Sequence, residues 1–290
     1  MSRVLAFLAA LVGASLGLGP IAQAKPPVWI VRDADSEMLL FGSVHLLPPG
    51  LDWRPRALDA ALAAADDVWF ELDVGPETEQ ETARLAAQAG VLPPGQSLFA
   101  MLSPEDRGRL VATAGRLGVP TANLDRLEPW LAEVALASAA YTKAGATTSD
   151  GVEAQVAARL PADLDRRALE TPAEQIGFFD SAPLAIQLQS LVRTVEELET
   201  DPDSYMDLVR VWLGGDAEAL DREALQPLRE TSPDAFRRLV ETRNARWTTE
   251  LDARLKGSGR TVVVVGVGHL VGEGGVPERL RALGYSVSGP

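Results

Sequence analysis

Cysteine is absent from this sequence of 290 residues, and histidine occurs only twice. Without cysteine the chain forms no disulfide, no thiolate nucleophile and no zinc–thiolate centre. Basic residues are also few, because 27 Lys and Arg stand against 41 Asp and Glu, a formal net charge of −14. An acidic chain of this kind argues against nucleic acid and anionic membranes as partners.

Long apolar runs are missing too, apart from one at the N-terminus. Arg3 supplies a short positive region, Val4 to Leu18 is apolar, and Ala22-Gln23-Ala24 matches an A-x-A cleavage site. These features predict a secretory signal peptide over residues 1–24, and an uncleaved anchor is the alternative. An exported chain without cysteine fits the bacterial periplasm better than an extracellular disulfide scaffold. Residues 25–290 are expected to form a single domain without a membrane span.

Both histidines lie in the same local pattern. The segment MLLFGSVHLLPPG contains Gly42 and His45, and VVVVGVGHLVGEGG contains Gly266 and His269. In each, a short apolar run typical of a buried strand ends at glycine, and histidine follows three residues later. A single histidine after a strand is more often a hydrogen-bonded loop residue, but the repeated pattern favours function. Since ligands bind outside the carboxyl ends of strands in open α/β sheets, neighbouring strands would bring both histidines to one site.

The remaining pattern predicts an α/β fold. A mixed central sheet is built from two strand–helix–strand halves, each with one Gly-x-x-His unit, around a large helical insert. In the first half, an alanine-rich helix over residues 54–65 separates the His45 strand from a strand over residues 68–74. In the second half, the strand 262–265 leads through a helix to a last strand. Caps with proline and glycine predict helices over most of residues 76–255.

One carboxylate is expected near the same edge of the sheet. Glu71 lies in VWFELDV, and so apolar a strand does not easily bury a glutamate without a partner. A surface carboxylate is the alternative, but one strand–helix–strand unit separates Glu71 from His45, which favours neighbouring strands. His45, Glu71 and His269 form a familiar ligand set for Zn, Mn, Co or Fe. The same groups suit metal-free chemistry, in which a glutamate orients a histidine base.

Two further charged residues are candidates on weaker grounds. Arg243 and Trp247 are four residues apart on a predicted helix, so they share a face, although a solvated face with an anchoring tryptophan explains them as well. Glu170 is the second residue of LETPAEQ, which a helix cap also explains. Buried charges need partners, so any of these charges that lie in the cleft should be mutually paired.

The ordered motifs resemble the TraB/GumN family, which is related to the Tiki proteins and more distantly to the erythromycin-esterase and ChaN-like proteins. The resemblance covers nearly the whole mature chain, through GSVHLLP, FELD, RLEPW, DGVE, LETPAEQ, ETRNARW and VVVVGVGHLVGEGGVPERLRALGY. It places the paired histidines of the family on His45 and His269, its glutamate on Glu71 and its arginine on Arg243. Glu170 is a further candidate.

The resemblance implies a hydrolase, for which we expect a peptide or a small molecule as the substrate. Tiki relatives are described as metal-dependent proteases that use manganese or cobalt, whereas erythromycin-esterase relatives use an equivalent histidine as a base for water without metal. TraB-type bacterial relatives are linked to pheromone shutdown, and GumN sits with polysaccharide genes.

We therefore expect a peptidase-like hydrolase that binds Mn, Co or Zn through His45, Glu71 and His269. Arg243 would stabilise the oxyanion or bind a substrate carboxylate. One alternative is a metal-free, esterase-type hydrolase with histidine as the general base. The other is a non-catalytic periplasmic protein that binds a peptide or a polysaccharide intermediate.

Overall fold

The structure, a computed structural model, describes residues 26–290, so the predicted signal peptide lies outside the described residues. Among these residues, six strands form one mixed sheet. They are β1 (Val28–Arg32), β2 (Ser36–Ser43), β3 (Asp67–Phe70), β4 (Asp165–Ala168), β5 (Gly259–Gly266) and β6 (Ser286–Ser288). Their order across the sheet is β4-β3-β5-β2-β1-β6. Strands β2, β5, β3 and β4 are mutually parallel, whereas β1 is antiparallel to both β2 and β6. The predicted α/β fold with a mixed sheet is confirmed.

Strand β5 occupies the middle of the sheet because it is apolar on both faces. Its four valines, 262–265, are each at most 1% exposed, as expected for a strand that is buried on both faces. Its partner β2 runs parallel in a register that places Ser43 opposite Gly266. The two Gly-x-x-His strands are therefore adjacent and end level, as the repeated motif predicts.

The expected place of the Glu71 strand is wrong in one respect. We expected β3 beside β2, but β5 lies between them, with Phe70 opposite Val264. The physical reason is that β5 buries both of its edges as well as both faces, so it separates the two strands of the first strand–helix–strand unit. Glu71, one residue beyond β3, therefore approaches the His269 loop directly and His45 from the far side of β5.

The described residues also contain fifteen α-helices, together with two π-helical segments (Asp221–Leu225 and Arg237–Glu241) and a 3-10 turn (Val267–His269). The α-helices are α1 (Arg56–Ala64), α2 (Pro76–Ala89), α3 (Leu98–Met101), α4 (Pro104–Leu117), α5 (Thr121–Leu124), α6 (Pro129–Lys143), α7 (Val152–Ala157), α8 (Pro172–Asp180), α9 (Leu184–Thr200), α10 (Ser204–Gly214), α11 (Ala217–Leu220), α12 (Gln226–Thr231), α13 (Pro233–Phe236), α14 (Thr242–Leu255) and α15 (Val276–Ala282). The side chain of Ser103 caps α4, and Thr171 forms a full capping box with Glu174.

The helical middle region is not wholly helical, because β4 lies within it and pairs with the edge of β3. The main core covers the sheet and includes the stacked rings of Phe41 and Trp53 with Trp212 from α10. A second apolar cluster lies among α3, α4, α6 and α9. Within residues 26–290, none of the helices has the length and apolar character that a membrane crossing requires.

Candidate functional site

Three predicted residues meet above Gly266, at the carboxyl edge of the sheet. A methyl group added to the Cα of Gly266 would lie 3.0 Å from Glu71 Oε1, 3.8 Å from His45 Nε2 and 3.8 Å from His269 Cδ2. Each of the three side chains comes from the loop after a different strand, β3, β2 and β5 respectively. The structure thus brings both imidazoles and the carboxylate close to one position, the space above Gly266 that a side chain at residue 266 would enter.

His45 is paired with an acid from another part of the chain. Its Nδ1 lies 2.8 Å from Oε1 of Glu153, and 44% of the His45 side chain is exposed. The hydroxyl of Ser43, at the end of β2, donates to the same carboxylate oxygen. The charge of Glu153 is the main cause that raises the pKa of His45 to about 9, with burial acting in the opposite direction. At neutral pH this ring is therefore an imidazolium.

A close backbone contact brings Glu153 to this position. Gly151 precedes helix α7, and a Cβ on it would lie 1.9 Å from the carbonyl oxygen of His45. Val152 N donates to Val44 O at 3.1 Å. Glycine at 151 therefore allows the start of α7 to pack against the His45 loop, and Glu153 then faces the ring. Sequence reasoning missed this acid because DGVE reads as an ordinary helix start.

Arg243 has a hydrogen-bond acceptor for every one of its donors. Its Nε and Nη2 bind Glu170 at 2.6 and 2.8 Å, and Nη2 also donates to Glu71 at 2.7 Å. Its Nη1 donates to Leu239 O at 3.2 Å and lies 3.0 Å from His269 Nε2. A guanidinium has five N–H donors, so none is left over for a substrate. The expected mutual pairing of buried charges is present, but a role for Arg243 as an oxyanion donor would require one of these bonds to break.

The two buried carboxylates that hold Arg243 lie on neighbouring backbones. Glu170 N donates to Glu71 O at 2.8 Å, which extends the pairing of β3 with β4 by one step. Burial alone would raise the pKa of Glu71, but the Arg243 charge leads the effects that lower it to about 2. For Glu170, burial is the main cause and raises its pKa despite Arg243. Trp247 Nε1 also donates to Glu170, at 3.1 Å.

His269 differs from His45 in almost every property. It is 1% exposed, its Nδ1 lies 2.6 Å from Asn244 Oδ1, and its ring centroid lies 4.3 Å from that of Trp247. Because an arginine only donates, His269 Nε2 must accept from Arg243, and the ring proton must be on Nδ1. Burial first, and then the Arg243 charge, lower the pKa of His269 to about 3. The two Gly-x-x-His histidines are therefore not equivalent: one is exposed and charged, the other buried and neutral.

The predicted metal ligands do not fit a three-ligand site in this arrangement. Such a site needs a lone pair from each ligand directed at one point. His45 Nε2 and Glu71 Oε1 lie beside the space above Gly266, but His269 presents a ring carbon to it. Both nitrogens of His269 are hydrogen-bonded, one of them to a permanent cation. Across residues 26–290, no group of three or more His, Cys, Asp or Glu has the geometry to hold a metal ion.

The other predicted glycine, Gly42, serves packing between the two loops. A Cβ on it would lie 2.6 Å from Cγ2 of Val267, in the turn that follows β5. Helix α10 also holds this loop, because Trp212 Nε1 donates to Gly42 O at 2.8 Å and Tyr205 Oη donates to Leu46 O at 2.6 Å. The helical region thus fixes the segment that carries His45, which the sequence pattern did not indicate.

Comparison with known proteins gives one family. The sequence profile described as the TraB/PrgY/gumN family matches residues 27–289. All of the side chains that meet at the carboxyl edge lie within this match. No curated protein and no solved structure matches the chain.

Proposed function

The chain belongs to the TraB/PrgY/gumN family, and from this premise we propose that it is a hydrolase in which His45 activates water above Gly266. The single observation that carries the proposal is the His45–Glu153 pair beside the space above Gly266. The ring is half-exposed, its Nδ1 is held by a carboxylate, and its Nε2 lies next to that space. An imidazole with one nitrogen anchored by an acid is the common arrangement of a general base.

The pairing of His45 with Glu153 determines which groups take and give protons during the reaction. In the fraction of the protein that has lost the Nε2 proton, which grows as pH rises toward about 9, His45 takes a proton from water while the water oxygen bonds to the acyl carbon of the substrate. The carbonyl π bond opens to an oxyanion, which re-forms the carbonyl when the bond to the leaving group breaks. Glu153 keeps the proton on Nδ1 and stabilises the imidazolium that forms. His45 then donates the Nε2 proton to the leaving oxygen or nitrogen as the acyl bond breaks. The ionised Glu71, with Oε1 beside the same space, accepts a hydrogen bond from the second O–H of the water and so orients it.

The charge of the site favours a neutral or cationic group next to the bond that is cleaved. When His45 is unprotonated, as the reaction requires, three carboxylates, on Glu71, Glu153 and Glu170, lie around one cation, Arg243. A substrate carboxylate at this point would meet like charge and no spare guanidinium donor. Peptide amides away from the chain terminus, and neutral esters, are therefore the substrate classes to test first, and a peptidase-like activity fits them.

We place this reaction outside the cytoplasm, in a bacterial periplasm, on the strength of the predicted signal peptide. N-terminal sequencing of the exported protein should read from Lys25. An intact Met1 on the mature protein would contradict cleavage.

The hydrolase proposal is tested by incubating the purified protein with a peptide library and a panel of neutral esters, with products identified by mass spectrometry. We expect cleavage that His45→Ala abolishes. Glu105→Gln is the control for any change in overall charge, because Glu105 is an exposed acid in the first turn of α4. A ligand that occupies the site stoichiometrically without any product would contradict catalysis and favour the non-catalytic binding protein.

A further inference from the structure

We propose that His269 is a positioning residue: a neutral hydrogen-bond bridge that fixes Arg243 against Asn244 and keeps Glu71 at the edge of the site. The inference rests on geometry, and depends on the proposed hydrolase only for the reaction that this positioning serves. It also explains why the predicted three-ligand metal site is not formed.

The directions of two hydrogen bonds, from Arg243 to His269 and from His269 to Asn244, follow from the chemistry of the arginine. Arg243 Nη1 can only donate, so His269 Nε2 accepts at 3.0 Å. Nδ1 therefore carries the proton and donates to Asn244 Oδ1 at 2.6 Å. The amide of Asn244 is oriented by the same logic, because its Nδ2 donates to Gly274 O at 3.0 Å. One chain of bonds thus runs from the glycine-rich loop through Asn244 and His269 to the guanidinium.

Helix α14 contacts the imidazole of His269 at three positions. Arg243 and Asn244 are consecutive residues of this helix, and Trp247, one turn later, packs against the ring with a centroid separation of 4.3 Å. Trp247 also lies beneath the guanidinium, 4.8 Å from Arg243 Cζ. His269 therefore joins the loop after β5 to the one helix that supplies the cation of the site.

The bridge controls the position of Glu71 through Arg243. Arg243 holds Glu71 Oε2 through Nη2, while Oε1 accepts from Gly266 N at 2.6 Å. Loss of the acceptor at 269 would leave Nη1 with a buried, unpaired N–H, which is costly enough to make the guanidinium turn. Glu71 would then lose the partner that fixes its outer oxygen.

The same hydrogen bond opposes metal binding by His269. An ion on His269 Nε2 would have to displace Arg243 and then lie beside its charge, because the lone pair that would bind it already accepts from Nη1. Removing a buried guanidinium from two carboxylates leaves those charges unpaired. The geometry therefore favours His269 as an acceptor for arginine over His269 as a ligand.

A glutamine at this position separates the two roles. In His269→Gln the amide oxygen can accept from Arg243 and the amide nitrogen can donate to Asn244, but no imidazole is present. His269→Ala makes neither bond. We expect His269→Gln to keep most of the kcat for the peptide or ester found in the screen, and His269→Ala to lose about tenfold or more, as expected when a hydrogen bond to a charged group is removed. A glutamine variant that is folded and as inactive as the alanine variant would overturn the proposal.

Two measurements remain informative even if no substrate is found. The first is titration of the wild-type protein with Mn²⁺, Co²⁺ or Zn²⁺, each followed by metal analysis; we expect no stoichiometric ion that depends on His269. One equivalent of bound metal in the wild type that is lost in His269→Gln would overturn the positioning role. The second is thermal unfolding, in which His269→Gln should lie close to wild type and His269→Ala clearly below it. Equal destabilisation of both variants would likewise contradict the bridge.

Discussion

The carboxylate of Glu153 lies 2.8 Å from His45 Nδ1, so the exposed histidine of the site is held by an acid that its own strand does not supply. This contact fixes the plane of the ring and leaves Nε2 as the nitrogen that faces the space above Gly266. The pair is the property of His45 that His269 lacks, since His269 is bonded instead to an amide and a guanidinium. The two histidines should therefore respond differently to mutation and to pH.

Replacing Glu153 by glutamine should lower the pKa of His45. The charge of Glu153 is the main cause of the raised value of about 9, so its removal should move the titration toward the ordinary value of 6.5. The measurement is the NMR titration of the imidazole protons, which is simple because the chain has two histidines and the buried one stays neutral across this range. Glu105→Gln is the matched control and should leave the midpoint in place. A Glu153→Gln protein that still titrates near 9 would rule out this pair as the cause.

The rate of hydrolysis should rise with pH toward the pKa of His45. A general base works in its unprotonated form, which is populated above the pKa, so kcat/KM should increase about tenfold per pH unit below about 9 and level off above it. In Glu153→Gln the rising limb should move to lower pH, with a lower plateau because the ring is less well held. An activity that falls as pH rises from 6.5 to 9 would show that the imidazolium, not the imidazole, is the active form.

The sequence predicts the local parts of this site well because each is written in a short stretch. An apolar strand that ends in glycine, with histidine three residues on, is visible at both Gly266 and Gly42, and the structure places these strands side by side. The capping box at Thr171 is equally local. The family profile covers residues 27–289, so both motifs lie within it.

The parts that sequence reasoning missed depend on contacts between distant segments. Nothing in the spacing of DGVE indicates that Gly151 packs against the carbonyl of His45 and thereby delivers Glu153. Asn244 lies between Arg243 and Trp247 in the sequence, and nothing in this segment indicates that its side chain accepts from Nδ1 of His269 and so determines which nitrogen carries the proton. The insertion of β5 between β2 and β3 was also missed, because strand order follows from burial of the whole sheet and not from the pattern of any one strand.

Acid should destabilise the protein through His269. Its pKa is lowered to about 3 in the folded state, so below the ordinary value of 6.5 the unfolded chain binds a proton that the folded chain refuses. Stability rises with pH wherever the unfolded state binds more protons, so this residue alone should remove about 1.4 kcal/mol per pH unit as pH falls from about 6 toward 4. Urea unfolding at a series of pH values measures this slope.

His269→Gln should flatten that slope, because it removes the group that takes up the proton on unfolding. The matched control is His45→Gln. His45 has a raised folded pKa of about 9, so it is protonated in both states below 6.5, and its stabilising effect is lost only as pH rises from 6.5 to 9. Its replacement should therefore leave the acid slope unchanged. Equal acid slopes in wild type and His269→Gln would show that His269 is not buried in the neutral form.

Gly266→Ala should abolish activity without unfolding the protein. The backbone of Gly266 has φ −49° and ψ 131°, a conformation that alanine adopts freely, so the substitution adds no backbone strain. The new methyl group would lie 3.0 Å from Glu71 Oε1 and 3.8 Å from His45 Nε2, in the space that the proposal assigns to the attacking water.

We expect hydrolysis by Gly266→Ala to fall by at least about a hundredfold, because the water is displaced while the base remains. The protein should remain folded with a lower unfolding temperature, because the methyl group at 3.0 Å requires the buried Glu71 carboxylate to shift slightly. The control is Gly108→Ala on helix α4, where an added Cβ meets nothing within 4 Å and activity should be unchanged. NMR titration of Gly266→Ala should still show a His45 signal with a raised pKa, since Glu153 is untouched. A folded Gly266→Ala enzyme with wild-type turnover would mean that the water is activated elsewhere, and His45 would lose its assignment as the base.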